Sequence, residues 1–131
     1  KNILIIGTMN TADRSIALVD HALRRRFSFI RLKPEYDILR HYLHTYGLPA
    51  EELIHVLREI NQAIDDQNYE VGISFFMTDK GRLRQLLPVI WKSEIEPYLE
   101  EYFYDQPSKI SAFRWEIIAR EKLSSWVNQS E

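Results

Sequence analysis

An all-apolar run, Ile3-Leu4-Ile5-Ile6, closed by Gly7 and followed at once by the polar stretch Thr8 to Ser15, constrains this chain more than any other feature. A half-exposed strand would alternate apolar with polar residues. Consecutive apolar residues instead fit a strand covered on both faces, as in the parallel sheets of α/β proteins. The spacing predicts a strand over Asn2 to Ile6. Polar side chains at the mouth of such a strand stand where open α/β sheets take up ligands.

The next segments extend that pattern. Asp13 or Ser15 is suited to cap a helix from Ile16 to about Arg25, whose Ile16, Leu18, Val19, Ala22 and Leu23 make it largely buried. Phe27 to Leu32 alternates enough for a second strand. Pro34 then marks a boundary, and beyond it the apolar residues recur at helical spacing. Helices are expected from Tyr36 to Tyr46, ending at Gly47 as a left-handed cap, and from Glu51 to about Asn68. Another region runs from about Asp79 to Tyr104, broken or kinked at Pro88 and Pro97, which lack a backbone donor. A last helix is expected from about Ser111 to Val127. The reading is therefore an α/β fragment, residues 1–33, followed by an all-α body, residues 34–131, mostly helical as a whole.

At 131 residues and 45% hydrophobic, the chain can bury one core. No apolar run is long enough to cross a bilayer, and a cytoplasmic location is expected. Cysteine is absent, which removes disulfides and thiolate metal sites, and His21, His41, His44 and His55 have no paired metal-ligand context. The net charge of −2 argues against an autonomous nucleic-acid binder. Positive charge is nonetheless concentrated between Arg14 and Lys33, where Arg14, Arg24, Arg25, Arg26, Arg31 and Lys33 face Asp20 alone. Such an excess suits phosphates or a solvated surface.

Several side chains carry two readings each. Asn10 either forms a turn by bonding its own backbone or orients a water beside a phosphate without adding charge. Asp13 caps the helix or stands in a site, and Arg14 pairs on the surface or reaches phosphate. Asp20 precedes Arg24 by four residues and is placed to pair with it on one helix face. Consecutive helical residues point about 100° apart, so Arg24, Arg25 and Arg26 cannot all face one phosphate. In the helical body, Ser74 either caps or touches a ligand, with Phe75, Phe76 and Met77 packing beside it. Arg82 and Arg84 begin the next helical stretch. The aromatic residues Trp91, Tyr98, Tyr102, Phe103 and Tyr104 read as core or subunit interface rather than a stacking surface.

The stretch IIGTMNTADRSIALVDHALRRRFSFI, residues 5–30, resembles the sensor-1 and arginine-finger segment of AAA+ ATPases of the McrB type, the motor subunits of modification-dependent restriction systems. Val71 to Met77, Leu83 to Leu87 and Glu94 to Tyr102 are similar to the lid of that family. The resemblance implies that residues 1–33 are the last strands of a nucleotide-binding core and 34–131 its helical lid. It implies Asn10, Arg14, Arg25 and Arg26 as catalytic residues, the last two acting on a neighbouring subunit's nucleotide. Asp13, Asp20, Arg24 and Ser74 are implied as nucleotide-binding or interface residues. Ile73 stands where the family often has His, and Arg82 or Arg84 lies where many AAA+ proteins carry a nucleotide-sensing arginine.

The same resemblance implies GTP or ATP with Mg²⁺ as cofactors, a ring that is a hexamer, a nuclease subunit of the McrC type as partner, and DNA translocation. No Gly-x-x-x-x-Gly-Lys-Ser/Thr loop occurs in the sequence to cradle phosphates. The chain is therefore expected to be the C-terminal part of a longer protein and inactive alone. A MoxR-like remodelling ATPase and a non-enzymatic helical interaction module are the alternatives.

Overall fold

The computed structural model describes residues 2–9, 25–78 and 81–127. The chain divides into two compact units, Lys1–Leu32 and Lys33–Glu131.

In the first unit, residues 2–9 and 28–32 form no strand, and no strand is present among the described residues anywhere. Ile3, Leu4, Ile5 and Ile6 are 68–86% exposed, and Phe29, Ile30 and Leu32 are exposed as well. Neither of the two expected strands is shown among the described residues. A strand apolar on both faces needs ladder partners for its N–H and C=O groups and cover above and below. The described residues supply neither. The expected helix from Ile16 lies outside the described residues apart from Arg25, which stands in a turn.

The second unit is helical throughout. Helix α1, Tyr36–Thr45, buries Leu39 and Leu43, one helical turn apart. It ends as expected at Gly47, whose φ of 64° is the left-handed conformation that a residue without Cβ adopts cheaply. The Gly47 N–H donates to the His44 carbonyl at 3.0 Å and the Leu48 N–H to the Leu43 carbonyl at 2.9 Å. These two bonds make a Schellman cap, and Leu48 and Leu43, both buried, supply its apolar contact.

Helix α2, Glu51–Ile64, presents Leu53, Ile54, Val56, Leu57, Ile60 and Ile64 to the core. It stops short of the expected Asn68 because Asp65 turns left-handed at φ 50° and returns its N–H to the Asn61 carbonyl. Aspartate tolerates that conformation better than most residues. A 3₁₀ turn, Ile73–Phe76, follows and drives Phe76 into the core.

The longest helical run is continuous from residue 83 to residue 102. It comprises α3, Leu83–Ile90, a wide π turn, Trp91–Ile95, and α4, Glu96–Tyr102. Neither proline ends it. Pro88 lies inside α3. Pro97 falls just after the π turn, where the Glu96 N–H already reaches back five residues to the Trp91 carbonyl. The wider turn relaxes the tight backbone spacing that makes a mid-helix proline costly.

The single helix expected from Ser111 to Val127 is instead three short ones: α5, Ser108–Ser111, α6, Trp115–Glu121, and α7, Ser124–Val127. Arg114 breaks the run, taking extended backbone at φ −64°, ψ 142°. Helices this short are not stable alone. Ile110, Phe113, Ile118, Leu123 and Trp126 are buried, and each such side chain contributes about 2 kcal/mol. That burial, rather than any surface ion pair worth about 0–1 kcal/mol, fastens the segment. Fully buried Trp91 belongs to the same core cluster, with its ring centre 6.3 Å from that of Phe76 and 6.2 Å from that of Trp115.

Candidate functional site

Among the expected site residues, Arg25 and Arg26 are described, both exposed in a turn that ends at Phe27. Asn10, Asp13, Arg14, Asp20 and Arg24 lie outside the described residues. Ser74 belongs to the helical unit and is exposed in the 3₁₀ turn, where its carbonyl accepts the Met77 N–H at 3.2 Å. Ile73 beside it is partly buried and packs against the core. At that position this chain has packing where an imidazole would offer a polar contact.

Arg82 and Arg84 separate clearly. Arg84 donates through Nη1 to the Ser125 carbonyl at 2.7 Å and the Trp126 carbonyl at 3.0 Å, with its guanidinium 5.6 Å from the centre of the Trp126 ring. A cation satisfying carbonyls late in a short helix is structural, and it is occupied. Glu52 completes the hold on α7 from the other end, accepting the Ser125 N–H at 3.1 Å and its hydroxyl at 2.6 Å. Arg82 is exposed at the start of α3.

The polar groups that shape the unit were not legible as such. Buried Asn61 uses its whole amide: Oδ1 accepts the Val71 N–H at 2.7 Å, and Nδ2 donates to the Val71 carbonyl at 3.1 Å and to the Tyr36 hydroxyl at 2.9 Å. The Tyr98 hydroxyl donates to the Tyr69 carbonyl at 2.5 Å and that of Tyr102 to the Ile64 carbonyl at 2.8 Å. Together these bonds fix the connection from residue 65 to residue 72. Burial, then the nearby Tyr102, Tyr69, Glu101 and Asp66, push the Tyr98 hydroxyl up to about 12, and burial with Asp66 raises Tyr102. Both stay protonated and able to donate. The available sequence signal for Asn61 was an amide between Ile60 and Ile64 on the stripe that packs.

Outside such fastenings the surface carries ordinary ion pairs. Arg40 bridges Glu51 at 2.6 Å and also meets Asp37, and its hydrogen bond holds the Glu51 carboxyl below the usual range. Among the described residues no cluster of three or more His, Asp or Glu is placed to hold a metal ion, and no helix is long and apolar enough to cross a membrane.

With that geometry in view, residues 52–111 match the family model described as "McrB, alpha-helical lid domain". A curated relative, the type IV methyl-directed restriction enzyme EcoKMcrB subunit of Escherichia coli (strain K12), is 41% identical over 124 residues. That match takes in 83% of this chain, and the chain spans 27% of the relative's length. No solved structure matches.

Proposed function

We propose, from the premise that this chain belongs to the McrB type, that it is the C-terminal part of a ring-forming NTPase whose hydrolysis drives DNA translocation for restriction. In this reading residues 1–33 are the last part of the AAA+ core and residues 34–131 its helical lid. The observation that carries it is the 41% identity to a restriction-enzyme subunit, joined to the lid match over residues 52–111.

Each group has a definite task. Asn10 orients water at the nucleotide, while Asp13 and Arg14 stand beside the phosphates. Arg25 and Arg26, exposed in their turn, reach the nucleotide of a neighbouring copy in a hexamer, with Asp20 and Arg24 at the subunit contact. A guanidinium is always charged and offers a planar fork to phosphate oxygens. GTP or ATP is the substrate, and Mg²⁺, when bound, would neutralise charge on its phosphates. Among the described residues no cluster of three or more His, Asp or Glu is placed to hold Mg²⁺. A nuclease subunit of the McrC type is the partner, and the complex works in the cytoplasm.

Turnover of GTP and ATP by the intact protein, with and without DNA and nuclease subunit, tests the reading. Stimulated turnover that prefers GTP is the expected outcome, and no turnover of either nucleotide defeats it. Arg25→Ala and Arg26→Ala are expected to lower turnover by about 10³-fold while nucleotide binding persists. Wild-type turnover in both variants removes the trans-acting role.

A further inference from the structure

We infer that the π turn at Trp91–Ile95 is a register device that makes residues 112–127, which lie beyond the matched lid region, an integral part of the lid. In a regular α-helix, residues five apart point about 140° away from each other. A turn closed by an i→i+5 bond brings them nearly above one another. The bond is present, from the Glu96 N–H to the Trp91 carbonyl. Trp91 and Glu96, both buried, therefore share one side of the helix.

That pair grips three consecutive residues. Trp91 Nε1 donates to the Phe113 carbonyl at 2.8 Å. Glu96 Oε2 accepts from Arg114 Nη1 at 2.9 Å, and Oε1 accepts the Trp115 N–H at 2.7 Å. Glu100, one turn on, adds a second carboxylate to Arg114 at 2.6 Å. The gripped residues are the ones where the backbone leaves α5, extends at Arg114 and starts α6. An orphan N–H at the start of α6 is thus satisfied by a side chain from another helix, in place of a cap of its own. Had the helix run on as α, Trp91 and Glu96 would diverge and only one of them would reach the crossover. The inference stands apart from the proposed function, since it concerns how the lid is assembled and not what it serves.

Two measurements on the full chain test it. In the wild type, a through-hydrogen-bond NMR coupling should connect the Glu96 amide nitrogen to the Trp91 carbonyl carbon; coupling to the Lys92 carbonyl overturns the inference. Amide exchange is then compared in Glu96→Gln, which keeps the side chain's shape but replaces one of its two acceptor oxygens with a donor NH₂, and in Trp91→Phe, which removes the Nε1 donor together with part of the indole's volume. The expected result is about tenfold or greater loss of protection at the Trp115 amide and its neighbours in α6, with α2 unchanged. Wild-type protection at Trp115 in both variants overturns it. So does equal loss across α2 and α6, because the crossover would then be no local attachment.

Discussion

The described residues 2–9 and 25–32 and the described residues of the helical unit are both rich in apolar side chains, and those side chains meet opposite fates. Ile6 of the first region is 85% exposed, while Leu57 of the second is fully buried. The difference lies in what each pattern asks of its surroundings. A helical stripe can be covered by the next helix of the same chain, and here α1 to α7 cover one another. A strand apolar on both faces needs hydrogen-bonded neighbours and two covering layers, so its burial is decided outside its own segment.

The widest test of that contrast places one chemical change in both regions. Leu57→Ala is expected to cost about 3 kcal/mol by thermal or denaturant unfolding of this chain. Leu4→Ala should fall within about 0.5 kcal/mol, because Leu4 is 86% exposed. In the intact protein the proposed sheet predicts a cost for Leu4→Ala near that of Leu57→Ala. A negligible effect there breaks the comparison.

Smaller effects sharpen the picture of the helical region. Asn61→Ala is expected to cost about 2 kcal/mol, since it strands the buried Val71 N–H and carbonyl. Calorimetric destabilisation below 0.5 kcal/mol, on the scale of about 1 kcal/mol per bond, would show that the loop has other supports. Gly47→Ala puts a Cβ on a left-handed residue with open space around it, and the conformation alone should cost about 1 kcal/mol. The least visible effect is alkaline. Tyr98 is raised in the fold to about 12, so its stabilisation is complete below the free tyrosine value of 10.0 and is lost as pH rises toward about 12, and the raised Tyr102 acts in the same direction. Unfolding followed between those pH values should shift less in Tyr98→Phe than in wild type.

The sequence was most legible where spacing alone decides burial. The stripe on α2 and the cap at Gly47 follow from local rules, and both are present. It was least legible where one segment depends on another. The π turn, the unbroken run through Pro88 and Pro97, and the break at Arg114 are settled together by Trp91 and Glu96 reaching residues 113–115, which no local window contains. For the candidate site, the residue types were readable at Arg25 and Arg26, and the exposed turn adds that both are accessible. Arg84 could not be separated from Arg82 by sequence, because its partners are backbone carbonyls at residues 125 and 126.

One further consequence follows from how the connection between residues 65 and 72 is held. Asn61, Tyr98 and Tyr102 grip it at the Val71, Tyr69 and Ile64 main chain. Main-chain atoms are the same whatever residue carries them, so these fastenings do not read the letters of the loop. Its path is specified from beneath by side chains on α2 and α4, whatever letters stand at those three positions. The loop's own letters enter elsewhere, where Val71 is buried, the Tyr69 ring lies against Tyr102 and the Asp66 carboxylate accepts the Asn68 N–H at 2.9 Å.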